Sequence, residues 1–135
     1  MKIETRKYEE SDLEAVNEIL KEAFNSEKKN FIGDEFYEIV ATVEGEVAGY
    51  LLLTDVLNPV KDKIYCLVDY VCVSSKYRGL GVGKYLVDYA EEIAKRKNAM
   101  YLQLTCSRFR VAAHRLYEKC GYIMRDSDIY RKEIL

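Results

Sequence analysis

Apolar and polar positions alternate over residues 2–8, which predicts a strand. The period then changes. Leu13, Val16, Ile19, Leu20 and Phe24 recur at helical spacing, and Ser11-Asp12-Leu13-Glu14 has the S-x-x-E form of a capping box that would open this helix. Residues 25–34 are polar and irregular. Residues 35–43 and 46–54 read as two strands around a Glu44-Gly45 hairpin turn, the second arm closed by Asn58-Pro59.

A third apolar run, residues 64–73, leads into Ser74-Ser75-Lys76-Tyr77-Arg78-Gly79-Leu80-Gly81-Val82-Gly83 and then into a helical pattern at Val82, Tyr85, Leu86, Tyr89 and Ile93. The cations of Lys95-Arg96-Lys97 suit that helix's C-terminal end, and residues 100–106 resume as a strand. Strand, crossover helix and strand imply parallel pairing. Val111, Ala113, Leu116, Tyr117 and Cys120 mark a last helix stopped by Gly121, with strand-like pieces at 122–124 and 128–134 around Arg125-Asp126-Ser127. The expected fold is α/β (α+β): one domain, residues 1–135, with a mixed, mostly antiparallel sheet, a central parallel βαβ unit and flanking helices.

Composition narrows the function. The 135 residues are 49% hydrophobic and 33% charged with one proline, as in a folded globular chain. Its 21 basic and 23 acidic residues are scattered, so no basic stripe suggests a nucleic-acid partner. The start has no apolar leader pattern and no run is long enough to span a bilayer, so the cytoplasm is expected and a membrane partner is not. Cys66, Cys72, Cys106 and Cys120 lack C-x-x-C spacing and His114 is the only histidine, which disfavours zinc and suggests buried, reduced thiols.

The glycine-rich stretch between a strand and a helix carries the chemistry. Glycines let backbone N–H groups approach an anion at a helix N-terminus, although an ordinary turn is the plain alternative. A Walker A loop needs G-x-x-x-x-G-K-[ST]; here Gly79 and Gly83 are one residue too close and Tyr85 stands where the hydroxyl should be. A dinucleotide fingerprint needs G-x-G-x-x-G, which Gly79, Gly81 and Gly83 do not give.

The remaining match, R-x-x-G-x-G at Arg78 to Gly83, resembles the GNAT superfamily of acetyl-CoA-dependent N-acetyltransferases. Downstream, Ala113-His114-Arg115-Leu116-Tyr117-Glu118-Lys119-Cys120-Gly121-Tyr122 is similar to that family's A-x-x-x-Y-E-K-x-G-[FY] helix. Residues 64–122 carry the specific resemblance. It implies the GNAT acyltransferase fold, acetyl-CoA as acetyl donor with no metal, and an amine acceptor, a homodimer being open. The loop Arg78, Gly79, Leu80, Gly81, Val82, Gly83 and Lys84 would hold the pyrophosphate, and the strand before it would bulge so that Val71, Cys72 and Val73 pair with the pantetheine arm. Ser107 and Arg110 would also meet the cofactor, Arg110 standing where many relatives have an asparagine.

The same resemblance makes Tyr117 the acid that protonates the leaving thiolate and Asp69 the group that takes a proton from the amine. Asp69 is one methylene shorter than the glutamate of several relatives. Each also has a structural reading: Tyr117 lies on an apolar helical stripe, and Asp69 would be a polar residue on a partly open strand. His114 is expected to face solvent. The acceptor is expected between the first helix, residues 25–34 and the 125–127 turn, where acids such as Glu22, Glu27, Asp34 and Glu35 would suit a cationic amine. A catalytically silent acyl-CoA-binding module is the alternative to an enzyme.

Overall fold

In the computed structural model, which describes residues 1–135, five strands lie side by side in chain order. They are β1 (Ile3–Lys7), β2 (Phe36–Val43), β3 (Glu46–Asn58), β4 (Lys63–Val73) and β5 (Leu102–Gln103). β1 to β4 are antiparallel, whereas β4 and β5 are parallel and joined through α2 (Val82–Arg96), as the crossover pattern predicts. The remaining helices are α1 (Leu13–Phe24) and α3 (Val111–Lys119).

The helices cover both faces of the sheet. Val16, Ile19 and Leu20 of α1 pack on Val40, Tyr50 and Cys72. Val82, Leu86, Val87, Ala90 and Ile93 of α2 pack on Ile39, Ala41, Leu51, Leu53, Cys66 and Val68, a core that Tyr117 of α3 joins. With a core on each side, β2 is buried at every position from Ile39 to Val43, Thr42 included, instead of alternating. Gly49 permits the close approach of β3 to this packing, since a Cβ there would lie 2.9 Å from both the Cys72 carbonyl and Leu86.

Three expectations are corrected. The capping box is not Ser11–Glu14: Glu9 and Asp12 cap one another around a single 3₁₀ turn, and α1 starts after Asp12. Asp12 prevails because it also receives Arg6 of β1 at 2.7 and 2.9 Å, tying the strand to the helix start. The strand at 100–106 shrinks to Leu102–Gln103, because β4 and β5 part after that pair. The pieces at 122–124 and 128–134 form no strand; Ile123, Met124, Ile129, Tyr130 and Ile134 stand exposed, and strand propensity without a face to pack on does not fix a hairpin.

The Arg6 guanidinium holds the Asp12 carboxyl below its usual range by hydrogen bonding. A depressed folded value means that the stabilisation is present above the unfolded pKa of about 4 and is lost as pH falls through the folded one. Asp12→Asn, which keeps a capping oxygen, should therefore cost about 1–2 kcal/mol at pH 7 in urea unfolding, with solvent at Arg6 screening the pair. The deficit should shrink as pH drops below about 4; a pH-independent deficit would reduce Asp12 to its capping role.

Candidate active site

The site begins with one extra residue in β4. Tyr50 pairs with Cys72 but Leu52 pairs with Asp69, so Tyr70 and Val71 together face Leu51 in a β-bulge. Tyr70 adopts φ +53, a left-handed conformation uncommon for a bulky side chain. The insertion flips the strand's parity. Before it, Cys66 and Val68 point into the α2 core; after it, Val71 and Val73 do, and Cys72 turns to the α1 core. Past Leu67↔Gln103 no residue of β4 pairs with β5, so the expected bulge and open edge at Val71, Cys72 and Val73 are present. Their side chains pack while their backbone borders the gap.

From that edge the chain enters the glycine loop. Gly79 (φ +80) and Gly81 (φ +85) occupy the left-handed region, and Gly81 is the N-cap of α2. A Cβ at either would meet nothing within 4 Å, so these glycines are required by backbone angle and leave open space above the helix start. The first N–H groups of α2 have no partner within the helix, which suits an anion. Gly83 does something else: a Cβ there would sit 3.0 Å from Leu116, so it sets the close packing of α2 on α3. Val82 is 1% exposed, leaving only its backbone for a ligand, and Leu80 is partly exposed. Lys84 pairs with Asp88 one helical turn on.

Arg78 lies 3.9 Å from Glu22 of α1, whose carboxylate also accepts hydrogen bonds from the Ser75 amide and hydroxyl at 2.8 Å each. These bonds hold the Glu22 carboxyl below its usual range. Glu22 thus braces the loop and does not line the cavity described next.

Where β4 and β5 separate, a cavity of about 570 Å³ opens between Ala23 and Phe24 of α1, residues 68–71 of β4, Thr105, Cys106, Ser107 and Arg110 of the loop before α3, and Tyr117. Tyr117 and Asp69 are therefore brought to one cavity. Tyr117 is 8% exposed, and burial pushes its phenol up to about 12, only partly offset by the Arg110 cation. It stays protonated at neutral pH. Asp69 is exposed at the cavity rim.

Ser107 and Arg110 sit where β5 gives way to α3. The Ser107 carbonyl accepts the Arg110 amide at 3.1 Å and lies 2.8 Å from His114 Nε2, which corrects the expected solvent-facing histidine: His114 is half-buried and steadies this loop. The Arg110 guanidinium rests 5.4 Å from the centre of the Phe24 ring, and Phe24 meets Tyr70 edge-on at 5.3 Å. Sequence reading missed Phe24 and Tyr70 as site residues. Phe24 completes the apolar stripe of α1, and no residue pattern announces the turn of the backbone at Tyr70.

All four cysteines are free, Cys66 and Cys72 buried and Cys106 and Cys120 half-buried. Burial pushes the Cys66 thiol up to about 11 and Cys72 to about 12, so neither is a ready nucleophile. No group of three His, Cys, Asp or Glu side chains is placed to hold a metal ion, and no helix is long and apolar enough to cross a membrane.

Comparison with known proteins agrees with this geometry. An uncharacterized N-acetyltransferase of Methanocaldococcus jannaschii is 32% identical over 127 residues, covering 87% of this chain and 76% of that protein. Streptothricin acetyltransferase of Escherichia coli is 26% identical over 90 residues, 67% of this chain, and the aligned stretch spans about half (49%) of that protein. The solved structure of ribosomal-protein-alanine N-acetyltransferase from Brucella melitensis biovar Abortus 2308 has the same fold, with a TM-score of 0.82 at 19% identity, covering 98% of this chain and 100% of that one. The model of the acetyltransferase (GNAT) family matches residues 2–122, together with the bulged strand, the glycine loop and the parted strands, and the chain belongs to that family.

Proposed function

We propose that this protein is an acyltransferase that moves the acetyl group of acetyl-CoA to a primary amine by direct attack within a ternary complex. The observation that carries the reading is the open β4 edge with a protonated, buried tyrosine at one gap in the sheet, and it is supported by the left-handed glycines that follow that strand at the start of α2. The residues fit the donor. Arg78 and the N–H groups of residues 79–84 would hold its pyrophosphate, the backbone of Val71, Cys72 and Val73 its pantetheine arm as an added strand, and Ser107 would border that arm.

Acetyl-CoA supplies a thioester whose carbonyl carbon a neutral amine attacks, forming the C–N bond as the C–S bond breaks. Asp69 takes the proton that the amine nitrogen must lose, directly or through water, and Tyr117 gives its phenolic proton to the departing sulfur. Asp69 then releases its proton to solvent and the Tyr117 oxygen regains one from it, which closes the cycle. Backbone N–H groups at the open edge polarise the carbonyl.

The test is CoA thiol release from acetyl-CoA over a broad amine panel. Amine-dependent release supports the transferase; tight CoA binding with no release for any amine would mean a module that senses acyl-CoA. Within the transferase reading, Asp69→Asn should lower turnover most at low pH, where few acceptor molecules are already neutral, and high pH should restore it. A pH–rate curve with the shape and height of the wild type's would make Asp69 structural.

A further inference from the structure

We infer that the acceptor is an amino acid, a primary amine carrying its own carboxylate, with Arg110 as the group that holds that carboxylate. The inference rests on the transferase reading above and specifies its substrate. Among the residues lining the cavity only Asp69 and Arg110 are charged; the rest are apolar, aromatic, thiol or hydroxyl side chains. A ligand that satisfies both presents a cation to one and an anion to the other.

Arg110 is built for this task more than for packing. The arginine ion pairs of the chain are formed by Arg6, Arg78, Arg96 and Arg131, so the Arg110 guanidinium meets no carboxylate of the protein, not even Asp69 in the same cavity. Its planar fork stands over Phe24 at 5.4 Å, a cation–π contact that orients the group and leaves its N–H donors unspent. Phe24 is itself met edge-on by Tyr70, whose backbone at the bulge lies in the left-handed region. Backbone strain of about 1–3 kcal/mol at a non-glycine residue is typical of functional sites. From the other side, the Ser107 carbonyl that takes the Arg110 amide lies within 2.8 Å of His114, so the loop presenting Arg110 is braced.

A cofactor phosphate is the competing ligand for this cation. Position argues against it: Arg110 lines the same cavity as Tyr117, the residue assigned to the leaving sulfur, while the pyrophosphate loop has its own Arg78. Charge argues against polyamines and aminoglycosides, whose further cations would meet Arg110 with one carboxylate in the cavity to offset it. A carboxylate matches the guanidinium fork in two parallel hydrogen bonds, the strongest pairing open to it. The aromatic walls of Phe24 and Tyr70 favour an apolar or aromatic side chain on that amino acid.

The experiment compares phenylalanine and leucine with phenethylamine and isopentylamine, which lack the carboxylate, as acceptors for the wild type, Arg110→Gln and Arg110→Lys. Binding of each to the CoA complex is titrated in parallel, so the inference is decided even without turnover. The amino acids should exceed their matched amines by about tenfold or more in kcat/KM and in affinity. Arg110→Gln should erase that ratio with CoA affinity unchanged, and Arg110→Lys should restore part of it. Amines equal to or better than the amino acids overturn the inference, as does binding of neither. An Arg110→Gln protein that loses CoA affinity and slows all acceptors alike returns Arg110 to the cofactor. Transfer to amines without carboxylate preference would leave the transferase reading standing while this inference falls. Carboxylate-dependent binding with no CoA release for any acceptor would keep Arg110 as the carboxylate site while the transferase reading, and the amino acid's role as acceptor, fall.

Discussion

Tyr117→Phe should cut kcat by roughly ten- to a thousand-fold while CoA affinity and thermal stability stay nearly unchanged. The side chain lines the cavity, and its burial in an apolar core raises the phenol to about 12, so the proton is present at neutral pH for a departing thiolate that needs it. Phenylalanine keeps the ring that packs beside Tyr122 at 5.8 Å and removes only the hydroxyl. A loss confined to kcat identifies an interaction made as the C–S bond breaks. Steady-state kinetics with the best acceptor, calorimetric CoA binding and a melting curve distinguish the outcomes. Wild-type turnover would hand the proton to water or another residue, and a large drop in melting temperature would make Tyr117 a core side chain.

Gly81→Val should weaken CoA binding by at least about tenfold, or about 1.4 kcal/mol. At φ +85 an L-residue is strained by roughly 1–2 kcal/mol, and a β-branched one by more, so the N-cap must move and carry the first N–H groups of α2 away from a shared focus. Space is not the cause, since a Cβ at Gly81 would meet no protein atom within 4 Å. Gly45 offers a control, with φ +84 in the β2–β3 turn and equally open surroundings. Gly45→Val should lose comparable stability and keep CoA affinity. Unchanged CoA affinity in folded Gly81→Val protein would remove the loop from the cofactor site.

Periodicity alone located all three helices and the first four strands to within a few residues, because each buries a face whose spacing is written in the chain. The helical stripe of Val16, Ile19 and Leu20 has one spacing that buries it, and the short, mostly apolar run of β2 reads as a strand from its length and the Glu44-Gly45 turn that bounds it. The glycine loop was legible for the same reason: left-handed angles at Gly79 and Gly81 demand a residue type that stands out in the sequence. Reading all three glycines as one cradle was too simple, since Gly83 answers to Leu116 on another helix. The α1 cap was misread because Ser11–Glu14 fits the local motif, while the decision came from Arg6 on a neighbouring strand.

What the sequence by itself determined is therefore the order of elements, the crossover that makes β4 and β5 parallel, and the family motifs at Arg78 to Gly83 and around Tyr117. Tertiary structure decided the rest of the site. An extra residue at Tyr70–Val71 reverses the facing of every later side chain in β4, and the strands part after Leu67↔Gln103. That gap brings Phe24, Asp69, Arg110 and Tyr117 to one cavity although 93 positions separate the first and last of them. No local pattern encodes such a meeting, because a bulge is fixed by how the strand's two faces fit two different cores, and that fit exists only once both helices have packed.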